Sequence, residues 1–376
     1  MTTLSHSPHA HAQTSVSQVM GTVMLALTPA TLFGFWLYGW PAINLWVVSL
    51  SVAALAEAIS LKIMRRPVRA GLFDGSALLT AWLLALSLPA WAPWWLAAVG
   101  SLFAIVVAKQ VFGGLGQNLF NPAMAARVML LISFPLEMTA WMAPLPMTSA
   151  AAPGFLQGLA ITFAGLAPAD GVSSATLLGH VKTELGRDLS LSQALTGFYD
   201  PAAFALGQRA GSLGETSAVL LLIGGLILIA RRVITWHIPL AMLAGVALPA
   251  LLFNLFAPES YPGMAFHLLS GGLILVAFFI ATDPVTSPNS ASGQLVFGFA
   301  CGLLTWIIRT WGGYPEGVAF AVMLMNAATP VIDRYFKPRI YGRDRKGVAL
   351  NPGVGANKFA RVAVRIYSHL PGGSRK

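Results

Sequence analysis

Runs of apolar residues about as long as a bilayer is thick recur along this chain, and they set its fold class. Blocks near 20–40, 44–63, 74–90, 92–108 and 123–134 precede a mixed central stretch, and blocks near 218–230, 236–255, 265–281, 293–308 and 315–332 follow it. Continuous stretches of about 18 to 25 apolar residues read as transmembrane helices. They lack the period-two alternation of a membrane β-barrel. Only 10% of the 376 residues are charged, less than half the fraction of about 25% in a soluble domain. The sequence therefore predicts an all-α polytopic membrane protein with about ten transmembrane helices.

Charge placement then orients the chain. The net charge of +10 does not indicate nucleic acid, because the basic residues cluster at the ends of apolar blocks and in the C-terminal tail. With both termini cytoplasmic, the inside segments hold Lys62, Arg65, Arg66, Arg69, Lys109, Arg231, Arg232 and the eleven Lys or Arg residues from Arg334 onward. The outside segments hold Lys182, Arg187, Arg209 and Arg309, while Arg127 inside the fifth block is unassigned. This bias places Thr176 outside the cytoplasm. The first twenty residues contain no Lys or Arg, so no cleavable signal is expected. The one cysteine, Cys301, excludes an intrachain disulfide and an iron–sulfur cluster held by this chain alone.

Five blocks cannot return the chain to its starting side, so the second five would run with inverted topology. The expected divisions are a polar cytoplasmic arm (1–17), a first repeat (18–134), an extracytoplasmic loop region (135–217), a second repeat (218–333) and a basic cytoplasmic tail (334–376). Gly113-Gly114 with Asn121-Pro122-Ala123 is echoed by Gly312-Gly313 with Asn326 to Pro330. Inverted repeats of this kind place ligands at the repeat interface near the bilayer midplane.

Several polar stretches interrupt the apolar pattern. Phe112–Ala123 contains Gly113, Gly114, Gly116, Asn118, Asn121 and Pro122. That composition at membrane depth describes a broken helix, tolerated where protein or a polar cavity covers it. Asn121 is placed to N-cap a short helix with Pro122 in its first turn. The positive helix end and the Asn amides could hold an electron-rich ligand, or the motif could be a kinked packing element. Asp170-Gly171-Val172-Ser173-Ser174-Ala175-Thr176 is, by itself, an ordinary turn, though its last hydroxyl suits phosphate chemistry. Gly211–Ser217 is a second such turn, able to cap the next helix through Thr216 or Ser217.

Three further sites are weaker. Asp283 would cap a short helix or coordinate a cation. Glu57 is costly in lipid and would serve ion movement or face a partner subunit; Lys62, five positions on, is off its helical face. His6, His9 and His11 lie in the N-terminal arm without a nearby Cys or acid, which favours a solvated tail over a metal site.

Taken together, Ser7–His11, Phe112–Ala123, Asp170–Thr176, Gly211–Ser217, Ala281–Pro288 and the ending Pro338–Gly342 resemble, in order and spacing, the D subunit of the Rnf electron-transport complex. The related B subunit of the sodium-pumping NADH:quinone oxidoreductase shares the fold and most motifs but has a longer N-terminal region. The resemblance implies a flavoprotein of bacterial inner membranes. The family's pattern Asp-x-x-Ser/Thr-Gly-Ala-Thr carries FMN as a phosphoester on its final threonine. Carried over, FMN falls on Thr176, with Asp170 and Ser173 recognised by a separate flavin transferase and Ala175 matching. Ser174 stands where the pattern has Gly. A second, non-covalent flavin, riboflavin, is implied beside the broken helix at Gly116, Asn118 and Asn121. The expected partners are the other Rnf subunits (A, B, C, E and G), which carry the nicotinamide and most iron–sulfur sites. The basic tail would be solvated or touch anionic lipid. The competing functions are a quinone-reducing subunit and a flavin-free channel or transporter on the same inverted plan.

Overall fold

The computed structural model describes residues 15–166, 176–187, 189–197, 199–207, 210–215, 217–314 and 316–337. The three N-terminal histidines, Asp170, Ser173, Ser174, Ala175, Thr216 and the tail from 338 lie outside the described residues. Within them the chain is helical, with one isolated β-bridge between Pro89 and Ser212.

The first half runs α1 (Val16–Tyr38), α2 (Trp40–Ile63), α3 (Val68–Leu72), α4 (Ser76–Ser87), α5 (Trp94–Leu102) and α6 (Pro122–Ser133), with α5 continuing as a π-helix over Phe103–Gln110. A connecting region contains α7 (Pro135–Met138), α8 (Phe155–Ala164), α9 (Leu177–Leu185), α10 (Leu191–Leu195) and α11 (Pro201–Leu206). The second half runs α12 (Ala218–Ala230), α13 (His237–Phe256), α14 (Met264–Leu269), α15 (Leu273–Leu275), α16 (Ala291–Trp311) and α17 (Val318–Tyr335), with α15 continuing as a π-helix over Val276–Ile280.

Five runs are long and apolar enough to cross a membrane: Val16–Tyr38, Trp40–Ile63, Val68–Ser87, His237–Phe256 and Ala291–Trp311. Shorter apolar helices lie at Trp94–Gln110, Pro122–Ser133, Phe155–Ala164 and Ala218–Ala230. Large apolar side chains such as Leu25, Leu55, Leu255 and Phe256 expose more than half their area. In water such faces would aggregate; against acyl chains they are the natural surface. The chain is thus an all-helical, multi-pass membrane protein.

Local sequence explains the helix ends. Ser15 opens α1 through a capping box with Gln18, satisfying two N-terminal donors reciprocally. Ser217 caps α12 by accepting from Leu220, as the glycine–hydroxyl turn predicted. Small residues then let helices approach closely. A Cβ on Gly302 would run into the Met242 carbonyl oxygen, and one on Gly245 into that of Phe299, so α13 and α16 pack backbone to backbone.

The halves meet where α1 packs on α12 and α6 on α17. Each half contains a membrane segment broken in its middle. The first break, at Phe73–Gly75, separates α3 from α4; the second, at Ser270–Gly272, separates α14 from α15. Gly271 has φ +66°, and a Cβ there would strike Arg309 and Glu316, so both its backbone and its surroundings require glycine.

The region 135–217, expected as a loop, is substantially helical. Gly158 of α8 lies so close to Trp40 that a Cβ there would collide with it. The turn at Leu213 enters the core: Leu213 is fully buried, and its N–H donates to the Leu88 carbonyl. Prolines and mixed polarity in this stretch hid its short helices.

Candidate functional site

Thr176 is the N-cap of α9. Its backbone is extended, and its hydroxyl accepts from the Gly179 N–H at 3.2 Å. The residue is half-buried on the wall of a small cavity of about 40 Å³, shared with Arg127, Trp141, Glu215, Tyr314 and Glu316. Space of this size holds about three waters or one phosphate group; a three-ring flavin would extend beyond it. The cavity wall carries groups of both signs: Arg127, and the carboxylates Glu215 and Glu316 that pair with it. The Thr176 hydroxyl stands at the positive end of a nine-residue helix, where N–H groups and the helix dipole both attract anions. Arg127 adds a buried guanidinium to the same wall. The motif residues Asp170, Ser173, Ser174 and Ala175 fall outside the described residues.

Arg127 belongs to a charge cluster that spans both halves. It donates to Glu316 Oε2 at 2.6 Å and lies 3.9 Å from Glu215. Glu316 in turn accepts from the Gly272 N–H at 2.5 Å and lies 3.9 Å from Arg309. Arg309 donates to the carbonyls of His267 at 2.7 Å and Ser270 at 2.9 Å. These are the carbonyls left without helical partners where α14 stops, so the guanidinium does what water would do outside a membrane. Arg309, counted from the sequence among the charges of the outside segments, is a buried structural cation in the last turn of α16. Arg127, unassigned in the sequence, is its counterpart across the cluster.

A second cluster surrounds the first break. Lys109 donates to Glu57 Oε1 at 2.8 Å and to Ser76 Oγ at 2.7 Å. Ser76, the first residue of α4, donates its own N–H and hydroxyl to Asp74. Lys109 and Glu57 are both 2% exposed. Two expectations are thus corrected. Lys109, counted among the inside loop charges, lies within the π-helix and is buried against Glu57. Glu57 does not face outward toward a partner subunit, because its partner is within this chain.

Between the clusters lies the broken-helix motif. After the π-helix, Gly113, Gly114 and Gly116 all take positive φ, a conformation glycine adopts without the Cβ penalty. Asn121 then caps α6, its side chain accepting from the N–H groups of Ala123 at 3.1 Å and Met124 at 3.3 Å, and Pro122 occupies the first turn as predicted. Its amide donates to Asp283 Oδ2 at 3.3 Å, and its backbone N–H donates to Asn326 Oδ1 at 3.1 Å. The two asparagines of the echoed motifs therefore meet. Asn118 is buried and donates to the Phe120 carbonyl, whereas Gly116 is exposed.

Asp283 caps no helix. It closes a turn by accepting from the Val285 N–H at 3.1 Å and the Thr286 hydroxyl at 3.4 Å. Among the described residues no group of three His, Cys, Asp or Glu side chains is placed to hold a metal ion. Asn118, Asn121, Asp283 and Lys109 line one end of a cavity whose other walls are apolar residues of α1, α4, α12 and the second π-helix. An apolar slot with a few convergent polar groups is the usual form of a small-molecule site.

The comparisons with known proteins agree with this architecture. Residues 3–342 match the model described as the NQR2, RnfD, RnfE family. The chain is 52% identical over 351 residues to the D subunit of the ion-translocating oxidoreductase complex of Halorhodospira halophila, covering 93% of this chain and 98% of that one. It is 56% identical over 338 residues to the protein of the same name from Stutzerimonas stutzeri, covering 90% and 95%. With the Rhodobacter capsulatus protein it shares 47% over 301 residues, covering 80% and 84%. A match over nearly the whole chain, with the broken helix, the Thr176 cap and the glycine–hydroxyl turn in place, identifies the chain as a member of the NQR2, RnfD, RnfE family.

Proposed function

We propose that this chain is the membrane flavin subunit of an ion-translocating ferredoxin:NAD oxidoreductase of the Rnf type. The name its relatives carry and its family membership support the complex. The observation that carries the flavin reading is the Thr176 hydroxyl, an α9 N-cap opening on a cavity with a buried guanidinium. FMN esterified there would supply one- and two-electron transfer. The helix end and Arg127 would hold its phosphate, and the neighbouring carboxylates would keep the guanidinium from entering the membrane as net charge.

Riboflavin is assigned to the cavity beside Asn118 and Asn121. The apolar walls suit a flat ring, and the amides with Lys109 offer donors and acceptors at its edge. The two flavin sites belong to different cavities with no lining residue in common. Ten membrane segments in two five-segment halves of opposite direction account for one break in the third segment of each half. That topology puts the Thr176 side outside the cytoplasm in a bacterial inner membrane. The remaining complex subunits supply nicotinamide and iron–sulfur sites, and a flavin transferase loads Thr176.

For ion movement, Asp283 is better placed than Glu57. Among the described residues Glu57 is tied to Lys109, whereas the groups bonded to Asp283 are an amide, a hydroxyl and a backbone N–H.

Purified protein co-produced with the transferase tests the reading. Denaturing gels should show a fluorescent flavin band, lost in Thr176→Ala, and the peptide containing Thr176 should carry the mass of FMN. A folded, colourless wild-type protein would sink the proposal and favour the channel or transporter. A reporter fused near Lys182 should behave as extracytoplasmic; a cytoplasmic result would overturn the topology.

A further inference from the structure

On the Thr176 side, a separate cavity of about 340 Å³ opens between α9, the start of α14 and the end of α16. Lys182, His267, Arg309, Tyr261 and Trp311 are on its wall, and none of the described residues lining it is acidic. The Lys182 ammonium donates to the carbonyls of Arg309 and Gly312. Those acceptors are neutral, and an ammonium has three hydrogens to donate. Burial without a carboxylate pushes the amine below the usual lysine range. His267 is 3% exposed, and its buried Nδ1 has no hydrogen-bond partner among the described residues. Among the described residues the Lys182 cation is answered by carbonyls alone and lacks an acceptor with negative charge.

The position of the cavity narrows the ligand. Trp311 closes a membrane-length helix, and Tyr261 is joined to the end of another by the Asn254 amide, which donates to its carbonyl at 2.8 Å. Trp and Tyr at helix ends mark the headgroup level of a bilayer. Beside them Leu255 and Phe256 are 72% and 83% exposed at the end of α13, an apolar surface leading from the cavity toward lipid. We infer that this cavity binds a phosphate group, with Lys182 as its cation. The phosphate belongs either to the headgroup of an anionic phospholipid, with its chains along α13, or to a soluble phosphate ion. The competing role for Lys182 is purely structural, closing the C-terminal end of α16. Nothing in the inference depends on a flavin at Thr176, which does not line this cavity.

The test uses full-length protein in phosphatidylcholine nanodiscs, with the thermal unfolding midpoint read as phosphatidylglycerol or inorganic phosphate is added. Wild type should be stabilised by one of the two, identifying a lipid or a soluble source respectively. Lys182→Gln keeps an amide for the α16 carbonyls but loses the charge, and its half-saturating concentration should rise about tenfold or more. Lys182→Arg should retain the response. A wild type indifferent to both probes, or a Lys182→Gln that responds as wild type, overturns the site. If Lys182→Gln does not fold, acetylation of Lys182 in wild-type protein decides: the saturating probe should slow it several-fold, and unchanged labelling refutes the inference.

Discussion

The Glu57–Lys109 pair gives the most direct test of the fold. Both side chains are 2% exposed, 2.8 Å apart, and Glu57 Oε2 has no hydrogen-bond partner among the described residues. Lys109→Met removes the only cation paired with Glu57 among the described residues and leaves a buried carboxylate. Glu57→Leu leaves a buried ammonium held by Ser76 alone. Removing one partner of a buried pair costs about 3–5 kcal/mol, whereas replacing both by apolar groups of similar volume is often neutral or stabilising. Each single variant should therefore lose about 3–5 kcal/mol, and the double variant should be more stable than either. The measurement is equilibrium unfolding in mixed micelles titrated with sodium dodecyl sulfate, followed by far-UV circular dichroism. Additive losses in the double variant, or a Lys109→Met within about 1 kcal/mol of wild type, would refute the reasoning. Either result would mean that water reaches Glu57 and that the charge cluster does not hold the first break.

Other perturbations probe separate links. Asn121→Ala removes the α6 cap and the amide bond to Asp283 but keeps the backbone N–H that donates to Asn326, so it should lower unfolding stability by about 1–2 kcal/mol. Asn118→Ala, which loses one bond to a neighbouring carbonyl, should cost less in the same titration. Gly302→Ala places a methyl against the Met242 carbonyl where backbone must yield; a loss of about 1–3 kcal/mol is expected, read as a lower thermal midpoint. Glu259, outside the membrane segments, accepts from the Ser192 hydroxyl and N–H, which hold its carboxyl below the usual range. A depressed folded-state pKa gives stability that is present above the ordinary carboxylate pKa and lost as pH falls through the lowered value. Protection factors for amide exchange around α10, taken against the intrinsic rate at each pH, should therefore fall on acidification in wild type and change less in Glu259→Gln.

The helix pattern was largely legible because burial in lipid leaves little choice of residue. The apolar blocks correspond to α1, α2, α4–α6, α12–α17 and the π-helical extensions. Capping was equally local: Asn121 with Pro122 and the hydroxyl of Ser217 announce helix starts within three residues of chain. The pairing of charges was not legible. Lys109 and Arg309 stand at the ends of apolar runs, the same places where cytoplasmic and external loop charges occur. Their partners are 52 residues away for Glu57 and 39 for Ser270, and no spacing rule covers such separations. The usable signal was Arg127: an ionisable residue within an apolar block is expected to face a protein interior and to have a partner. Around Thr176 the capping geometry adds a physical reason for phosphate chemistry that the hydroxyl-rich motif alone lacked.

The two clusters solve one problem at two places. Breaking a membrane segment exposes backbone groups that lipid cannot hydrogen-bond. At the first break Asp74 accepts from the Ser76 N–H, and Lys109 holds the Ser76 hydroxyl; at the second, Arg309 itself reaches the backbone carbonyls of His267 and Ser270. Each cation lies at the end of a helical run and has a carboxylate, Glu57 or Glu316, close by. The charge therefore enters the membrane region nearly neutralised, and its hydrogen bonds go to the break. Any path that used Glu57 or Glu316 to receive an ion would have to separate such a pair, at the cost of about 3–5 kcal/mol argued above. Asp283 carries no such penalty, because the bonds to its carboxylate come from neutral donors. It also lines the cavity proposed for riboflavin, along with Asn121, whose backbone is bonded to Asn326 of the other half. A change of charge in that cavity would be felt first by Asp283 and by the asparagine seam. Lys109 and Ser76 line the same cavity, so such a change of charge would also reach the cluster at the first break, whereas none of the residues of the second cluster lines it.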